Sequence, residues 1–273
     1  MHDEQRPEPP PTGGRRGKGA IGGIVVALGL AAAKYKTLLL VAANFKWLLI
    51  GPKLLSLGSM FLSVWLYAQL FGGWKIGIVF VLMILVHELG HYFTWRNYGV
   101  KASLPMFIPG FGAFVSAPNT GTPAQNTAAA MAGPLFGIVA AALCWGYGIA
   151  TGDRFWLGCA YIGFFLNLFN LIPTPPFDGG AIAGAIDARL WILGVVLIGL
   201  WVVFFARGGF GIILVLVLAF TAVPRVLALV RGQIDPHGSG LVPIQRAVTL
   251  GAYVVLVAVA VAGAAATHLE RAV

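Results

Sequence analysis

The chain has 273 residues, of which 59% are hydrophobic and only 10% charged, with a net charge of +9. That balance excludes an ordinary soluble domain, because several apolar runs reach the roughly 20 residues that cross the hydrocarbon of a bilayer. The basic residues are scattered at the ends of those runs, so they read as topology signals and contacts with anionic lipid, and no nucleic-acid partner is expected. The two cysteines, Cys144 and Cys159, both fall within apolar runs and are expected to be small buried side chains, since no Cys-x-x-Cys pattern exists.

Met1 to Gly19 is polar and Pro-rich and cannot bury enough surface to fold, so residues 1–19 are expected to be a disordered tail. This acidic, Pro-rich start precedes any apolar segment and does not resemble a cleavable signal peptide. Residues 20–53 hold short apolar stretches punctuated by Lys34, Lys36, Lys46 and Lys53. That pattern suits interfacial helices with snorkelling lysines, or a re-entrant hairpin. Leu54 to Phe71 is the first full span, broken by Gly72-Gly73. Ile76 to Trp95 is the second. Arg96, Lys101 and the lysines before Leu54 then share one side, which the positive-inside rule makes cytoplasmic.

Leu104 to Pro118 contrasts with its neighbours, having prolines at 105, 109 and 118 and glycines at 110 and 112. Its β-favouring residues predict a short hairpin dipping against the membrane domain, with a simple loop as the alternative. Ala128 to Ile149 is a third span, rich in small residues, which Gly133-Pro134 should bend near its start. Asp153 and Arg154 mark the outer turn, and Phe155 to Ile172 returns inward as the fourth span. Pro173, Pro175 and Pro176 end that helix, and Gly179-Gly180 should let the backbone turn sharply after Asp178. Leu190 to Ala206, Phe210 to Val223 and Ala247 to Ala266 complete the spans, with Arg225, Arg231 and Arg246 flanking a polar cytoplasmic loop. The expected architecture is an all-α polytopic membrane protein. It comprises a bundle of about six to seven transmembrane helices, interfacial N-terminal helices and a membrane-associated β-hairpin. A catalytic core is expected over 54–184, further helices over 185–266 and a tail over 267–273.

The second span carries His87-Glu88-Leu89-Gly90-His91. Residues four apart share one helix face, so His87 and His91 can bind one zinc ion while Glu88 stands beside them to deprotonate water. Ionisable groups inside a membrane-length helix are functional candidates by default, though such a cluster can also serve to hydrogen-bond neighbouring helices. A catalytic zinc takes a third protein ligand. His2, His237 and His268 lie in the tail, the polar loop and beyond the last span. Asp178 sits at the same cytoplasmic end as His91 beside a helix break, and its alternative role is that of a turn aspartate. Asp187 is the reserve, at the start of a new helix and near Arg189. Asn170 could donate to an oxyanion or bind helices together.

The pair of motifs, His87-Glu88-Leu89-Gly90-His91 and Asn170-Leu171-Ile172-Pro173-Thr174-Pro175-Pro176-Phe177-Asp178-Gly179-Gly180, resembles the site-2 protease family of intramembrane zinc metalloproteases. The resemblance spans roughly 54–184. It implies zinc held by His87, His91 and Asp178, with Glu88 as general base and Asn170 as a stabiliser of the tetrahedral intermediate. It also implies that residues 104–115 form the hairpin offered to an unwound substrate as an edge strand. Two positions depart from the family pattern: Gly137 where relatives often have Asn, and Ala181 where a basic residue is common. No stretch is long enough for the PDZ domain that many relatives carry. The expected activity is hydrolysis of a peptide bond in or near a transmembrane helix of a membrane-anchored substrate, in the cell membrane, with the site toward the cytoplasm. A metal or proton transporter and an inactive membrane adaptor are the competing readings. The first suffers from the lack of His, Asp or Glu in the outer half of the spans.

Overall fold

The computed structural model describes residues 52–117, 121–205 and 209–272. The chain divides into two units, Met1–Gly51 and Pro52–Val273. The tail and the interfacial segment expected before residue 52 therefore lie outside the described residues. From Pro52 the elements run α1 (Pro52–Leu70), α2 (Trp74–Asn97), β1 (Met106–Ile108), β2 (Gly112–Phe114), α3 (Pro123–Thr151), α4 (Arg154–Asn170) and α5 (Asp178–Ile186). They continue with α6 (Leu190–Phe205), α7 (Gly209–Thr221), α8 (Val223–Val230) and α9 (Pro243–Ala272). Among the described residues, three helices are long and apolar enough to cross a membrane: Trp74–Asn97, Pro123–Thr151 and Pro243–His268. Shorter apolar helices occupy Leu55–Leu70, Leu190–Phe204 and Leu214–Val230. Large side chains such as Phe61, Leu143, Val203 and Phe220 are exposed on these helices, as lipid contact requires and water would not tolerate.

Local chemistry sets the helix ends. Thr122 and Gln125 close a capping box that starts α3 at Pro123, five residues before the predicted start at Ala128. Pro134 lies inside the helix, not at its beginning. Gly152, at φ +68°, ends α3, and the Asp153 carboxylate then accepts the Phe155 N–H at 2.9 Å to start α4. The loop expected between Arg225 and Arg246 contains the short helix α8. The last helix runs past Ala266 to Ala272, so His268 lies within it, its ring against Tyr161.

The hairpin forms where expected. β1 and β2 are antiparallel, with Met106 opposite Phe114, Phe107 opposite Ala113 and Ile108 opposite Gly112. Phe111 N–H returns to the Ile108 carbonyl at 2.9 Å, and Gly110 takes φ +85°. Pro109 followed by Gly110 is the residue order of a type II turn. β1 is fastened to α1: the Ser59 hydroxyl accepts the Phe107 N–H at 3.2 Å, and the Ser56 hydroxyl donates to the Pro105 carbonyl. Phe107 completes an apolar cluster with Tyr67, Val81 and Ile84.

Small residues govern the main core. Ala130, Ala141, Ala160 and Ala260 are buried among Ile138, Phe164, Leu171, Ile182 and Leu256. In lipid, apolar side chains gain little by leaving one neighbour for another, so close backbone approach and full packing carry helix association. A Cβ on Gly90 would stand 2.4 Å from the Ala132 carbonyl oxygen, so the glycine of the His-Glu-x-x-His stretch is where α3 crosses α2. A long clamp comes from α9, which packs on α3, α4 and α5. Its Tyr253 hydroxyl donates to the carbonyl of Leu171, just past the end of α4.

Tyr253→Phe removes that donor while keeping the ring. The expected loss is about 1 kcal/mol, seen as a fall of about 2–4 °C in the thermal midpoint of the detergent-solubilised protein.

Candidate metal centre

The centre is assembled by α2, α3, α4 and the first residue of α5. His87 and His91 lie one above the other on α2, and the loop 171–177 returns the chain so that Asp178 opens α5 beside them. His87 Nε2 lies 3.1 Å from His91 Nε2, and Asp178 Oδ2 lies 2.9 Å from the first and 3.3 Å from the second. The expected trio is therefore brought together. His87 is 3% exposed, and only the Asp178 side chain, at 23%, retains appreciable exposure.

Hydrogen bonds behind the rings fix their tautomers. His91 Nδ1 is 2.7 Å from the Ala129 carbonyl oxygen, which can only accept, so Nδ1 carries the proton. His87 Nδ1 is 2.8 Å from Asn167 Oδ1. The identity of that Asn oxygen follows from its other end, where Nδ2 donates to the Gly163 carbonyl at 2.7 Å. With each Nδ1 protonated, the neutral form of both imidazoles presents an Nε2 lone pair to the other ring and to a carboxylate oxygen. In that form the three acceptors face one another with no proton between them, a donor set that suits a cation. Ligands bound tetrahedrally at about 2.0–2.1 Å from a zinc ion stand about 3.3 Å apart, close to the three observed spacings.

The space between the donors is protected by a glycine. A Cβ on Gly133 would lie 2.2 Å from His91 Nε2 and 2.9 Å from His87 Nε2. The small-residue stretch of α3 therefore has a local purpose beyond helix packing. Glu88 is 7% exposed, and its carboxylate reaches within 4.8 Å of the ligand atoms of both histidines. It also faces the backbone N–H of Val115, the residue that follows β2. The base candidate and the hairpin thus meet.

Other expectations fare differently. Gly179 and Gly180 lie within α5 with no positive φ, so they do not form a sharp turn after Asp178. They allow close approach instead: a Cβ on Gly179 would be 2.2 Å from the Leu171 carbonyl oxygen, and one on Gly180 2.3 Å from Pro175 N. Asp187 ends α5, where its carboxylate accepts the Arg189 N–H and lies 3.3 Å from His237 Nε2. It also leads into α6, its carbonyl accepting the Leu190 N–H and its carboxylate lying 4.0 Å from the Arg189 guanidinium, the pairing expected for it. Asn170 donates through Nδ2 to the Leu166 carbonyl of its own helix at 3.3 Å. Asn167, one turn earlier, is the residue that sequence reasoning passed over. Only its helical spacing from Asn170 could have drawn attention to it.

Residues 76–153, which include both histidines, Glu88 and Gly133, match the family model for peptidase family M50. The match covers less than half of the chain, and the likeness is to the same site-2 protease family that the paired motifs resemble. The chain is 35% identical over 161 residues to a Synechocystis sp. protein provisionally named a zinc metalloprotease, covering 52% of this chain and 40% of that protein. It is 30% identical over 118 residues to a zinc metalloprotease of Methanocaldococcus jannaschii, covering 41% of this chain and 35% of the relative. The chain thus spans less than half the length of either relative.

Gly133→Ala places a methyl group among the donors and forces the His91 ring off the Ala129 carbonyl. Zinc affinity, read by chelator competition on the purified protein, is expected to fall about ten-fold or more while the helical circular dichroism is kept.

Proposed function

We propose that this protein is an intramembrane zinc endopeptidase that cleaves a peptide bond within or near a transmembrane helix of a membrane-anchored protein. The observation that carries the reading is the convergence of two imidazole lone pairs and the Asp178 carboxylate, with the Glu88 carboxylate beside them. The M50 segment and the names of both relatives point the same way. On this reading the catalytic core occupies 54–184 and the helices over 185–266 extend it. The shorter apolar helices add to the three long ones to give six to seven spans in the cell membrane. Basic residues such as Arg96 and Lys101, just beyond the site end of α2, assign that end to the cytoplasm.

His87, His91 and Asp178 would hold the zinc, which supplies Lewis acidity to a carbonyl oxygen and makes water acidic near neutral pH. Glu88 takes one proton from the attacking water as its oxygen bonds to the scissile carbonyl carbon. When the carbon–nitrogen bond breaks, Glu88 returns that proton to the departing amine. Burial of Glu88 beside the imidazoles keeps the exchange away from bulk solvent. A role for Asn170 as stabiliser of the tetrahedral intermediate requires its Nδ2 to leave the Leu166 carbonyl when substrate arrives.

A helical substrate has its carbonyls engaged in its own backbone, so it must unwind before attack. The Phe107 N–H points to Ser59, which makes Phe107–Ala113 a cross-strand pair whose backbone groups face outward on both sides. The outer side of β1 is therefore taken up by α1, so β2 is the edge proposed to receive an added strand. β2 leads directly to Val115 and Glu88, so a strand added there runs toward the base.

Glu88→Gln is expected to keep stoichiometric zinc and to abolish cleavage, whereas His87→Ala loses both. Proteomics of membranes from cells carrying wild-type or Glu88→Gln protein should reveal a membrane-anchored protein that accumulates uncut only in the variant. Persistent cleavage by the Glu88→Gln protein would remove Glu88 as the base and sink the mechanism.

A further inference from the structure

We propose that Asn167 is a positioning residue of the metal centre. Its carboxamide, seated in a notch left by Gly137, holds the His87 ring in the one tautomer and orientation that offers Nε2 to the metal. The proposal rests on the zinc reading above and adds a residue outside both sequence motifs.

Asn167 is 0% exposed, on the face of α4 that meets α2 and α3. A carboxamide buried among apolar helices is costly unless both of its ends are bonded. Here both are: Nδ2 donates to the Gly163 carbonyl one turn back, and Oδ1 accepts the His87 Nδ1–H. The first bond decides the second, because it leaves only the oxygen facing the imidazole. An imidazole whose Nδ1–H is so held must carry its lone pair on Nε2, and its ring plane is fixed. His91 obtains the same service from a backbone carbonyl, that of Ala129. Behind His87 the α4 side chain fills that role.

The room for this side chain is specific. A Cβ at position 137 would stand 2.2 Å from Asn167 Oδ1, 2.3 Å from Nδ2 and 2.6 Å from Cγ. Any larger residue on α3 at that height must push the carboxamide off His87. Gly137 and Asn167 therefore form one device across the α3–α4 contact, and His87 is what it acts on. Plain helix-binding by a polar residue would make a different demand: it needs the amide to bond somewhere, not to bond Nδ1.

The full-length protein in detergent provides the test, with zinc affinity read by chelator competition and the cobalt-substituted protein read by its visible absorption. Asn167→Ala and Gly137→Ala are each expected to weaken zinc binding about 10- to 100-fold and to shift the cobalt bands. In the double variant the Gly137→Ala change should add no more than about two-fold, since the carboxamide it displaces is gone. Wild-type zinc affinity in either folded single variant, or losses that multiply in the double variant, would overturn the proposal. Should Asn167→Ala fail to fold, Gly137→Ala decides by itself, with weakened zinc binding in support and unchanged binding against. A wild-type protein that takes up no zinc would overturn the metal reading and this proposal with it.

Discussion

Everything about this chain turns on holding three electron pairs within about 3 Å of one another inside an apolar bundle. With both imidazoles neutral such an arrangement is repulsive without a cation, and the protein enforces it by bonding each ring from behind. The Ala129 carbonyl of α3 and the Asn167 carboxamide of α4 take the two Nδ1 protons. The third group, Asp178, is held by the backbone: it is the first residue of a helix, where negative charge is favoured, and that helix starts where the Pro-rich loop ends. Four elements are thus tied to one point, and none of them is adequate alone.

The second requirement is room. Helices in lipid associate through close packing, and the positions that allow it here are also the positions that shape the site. Gly90 lets α3 cross at the histidine stretch, Gly133 keeps the space between the ring nitrogens open, and Gly179 brings the first turn of α5 against the Leu171 carbonyl. Tyr253 of α9 then donates to that same carbonyl, which links the last helix to the segment that presents Asp178. The long C-terminal helix therefore supports the chemistry without contributing a ligand.

Much of this was legible in the residues. Apolar run length located the helices, because a bilayer imposes a minimum length that sequence displays directly. The His87–His91 spacing fixed one helix face, and the prolines from 173 to 176 marked the break that frees Asp178 to approach. The hairpin showed itself by Pro109-Gly110 between β-favouring residues. What stayed hidden depends on which helix faces which. A single asparagine such as Asn167 has no local signature, and its meaning appears only once α4 lies against α2 and α3. Gly137 looked like a departure from the family pattern. Gly179-Gly180 suggested a turn, because sequence cannot tell a glycine that needs positive φ from one that needs another backbone close by. Asp187 reads as a helix-start residue paired with Arg189, and the short helix α5 that it ends is not separable in sequence from the loop before it.

The hairpin poses the hardest physical question, since unpaired strand edges are not tolerated facing hydrocarbon. The arrangement answers it asymmetrically. Ser56 and Ser59 of α1 engage the backbone around β1, and Phe107 is sunk into the cluster with Tyr67 and Val81, so that side is closed. β2 lies toward α2, where Val115 meets Glu88, and its outward groups at Ala113 are the ones the proposed reading assigns to a substrate strand. On the proposed reading, a substrate strand would gain most by pairing where its own unwinding has stripped its carbonyls of donors, and the same pairing would bring one of those carbonyls toward the site. On the proposed reading, the cost of an open edge in the membrane and the cost of an unwound helix are two halves of one deficit, and each would cancel the other here. β2 would then select segments that unwind readily as well as hold those that have.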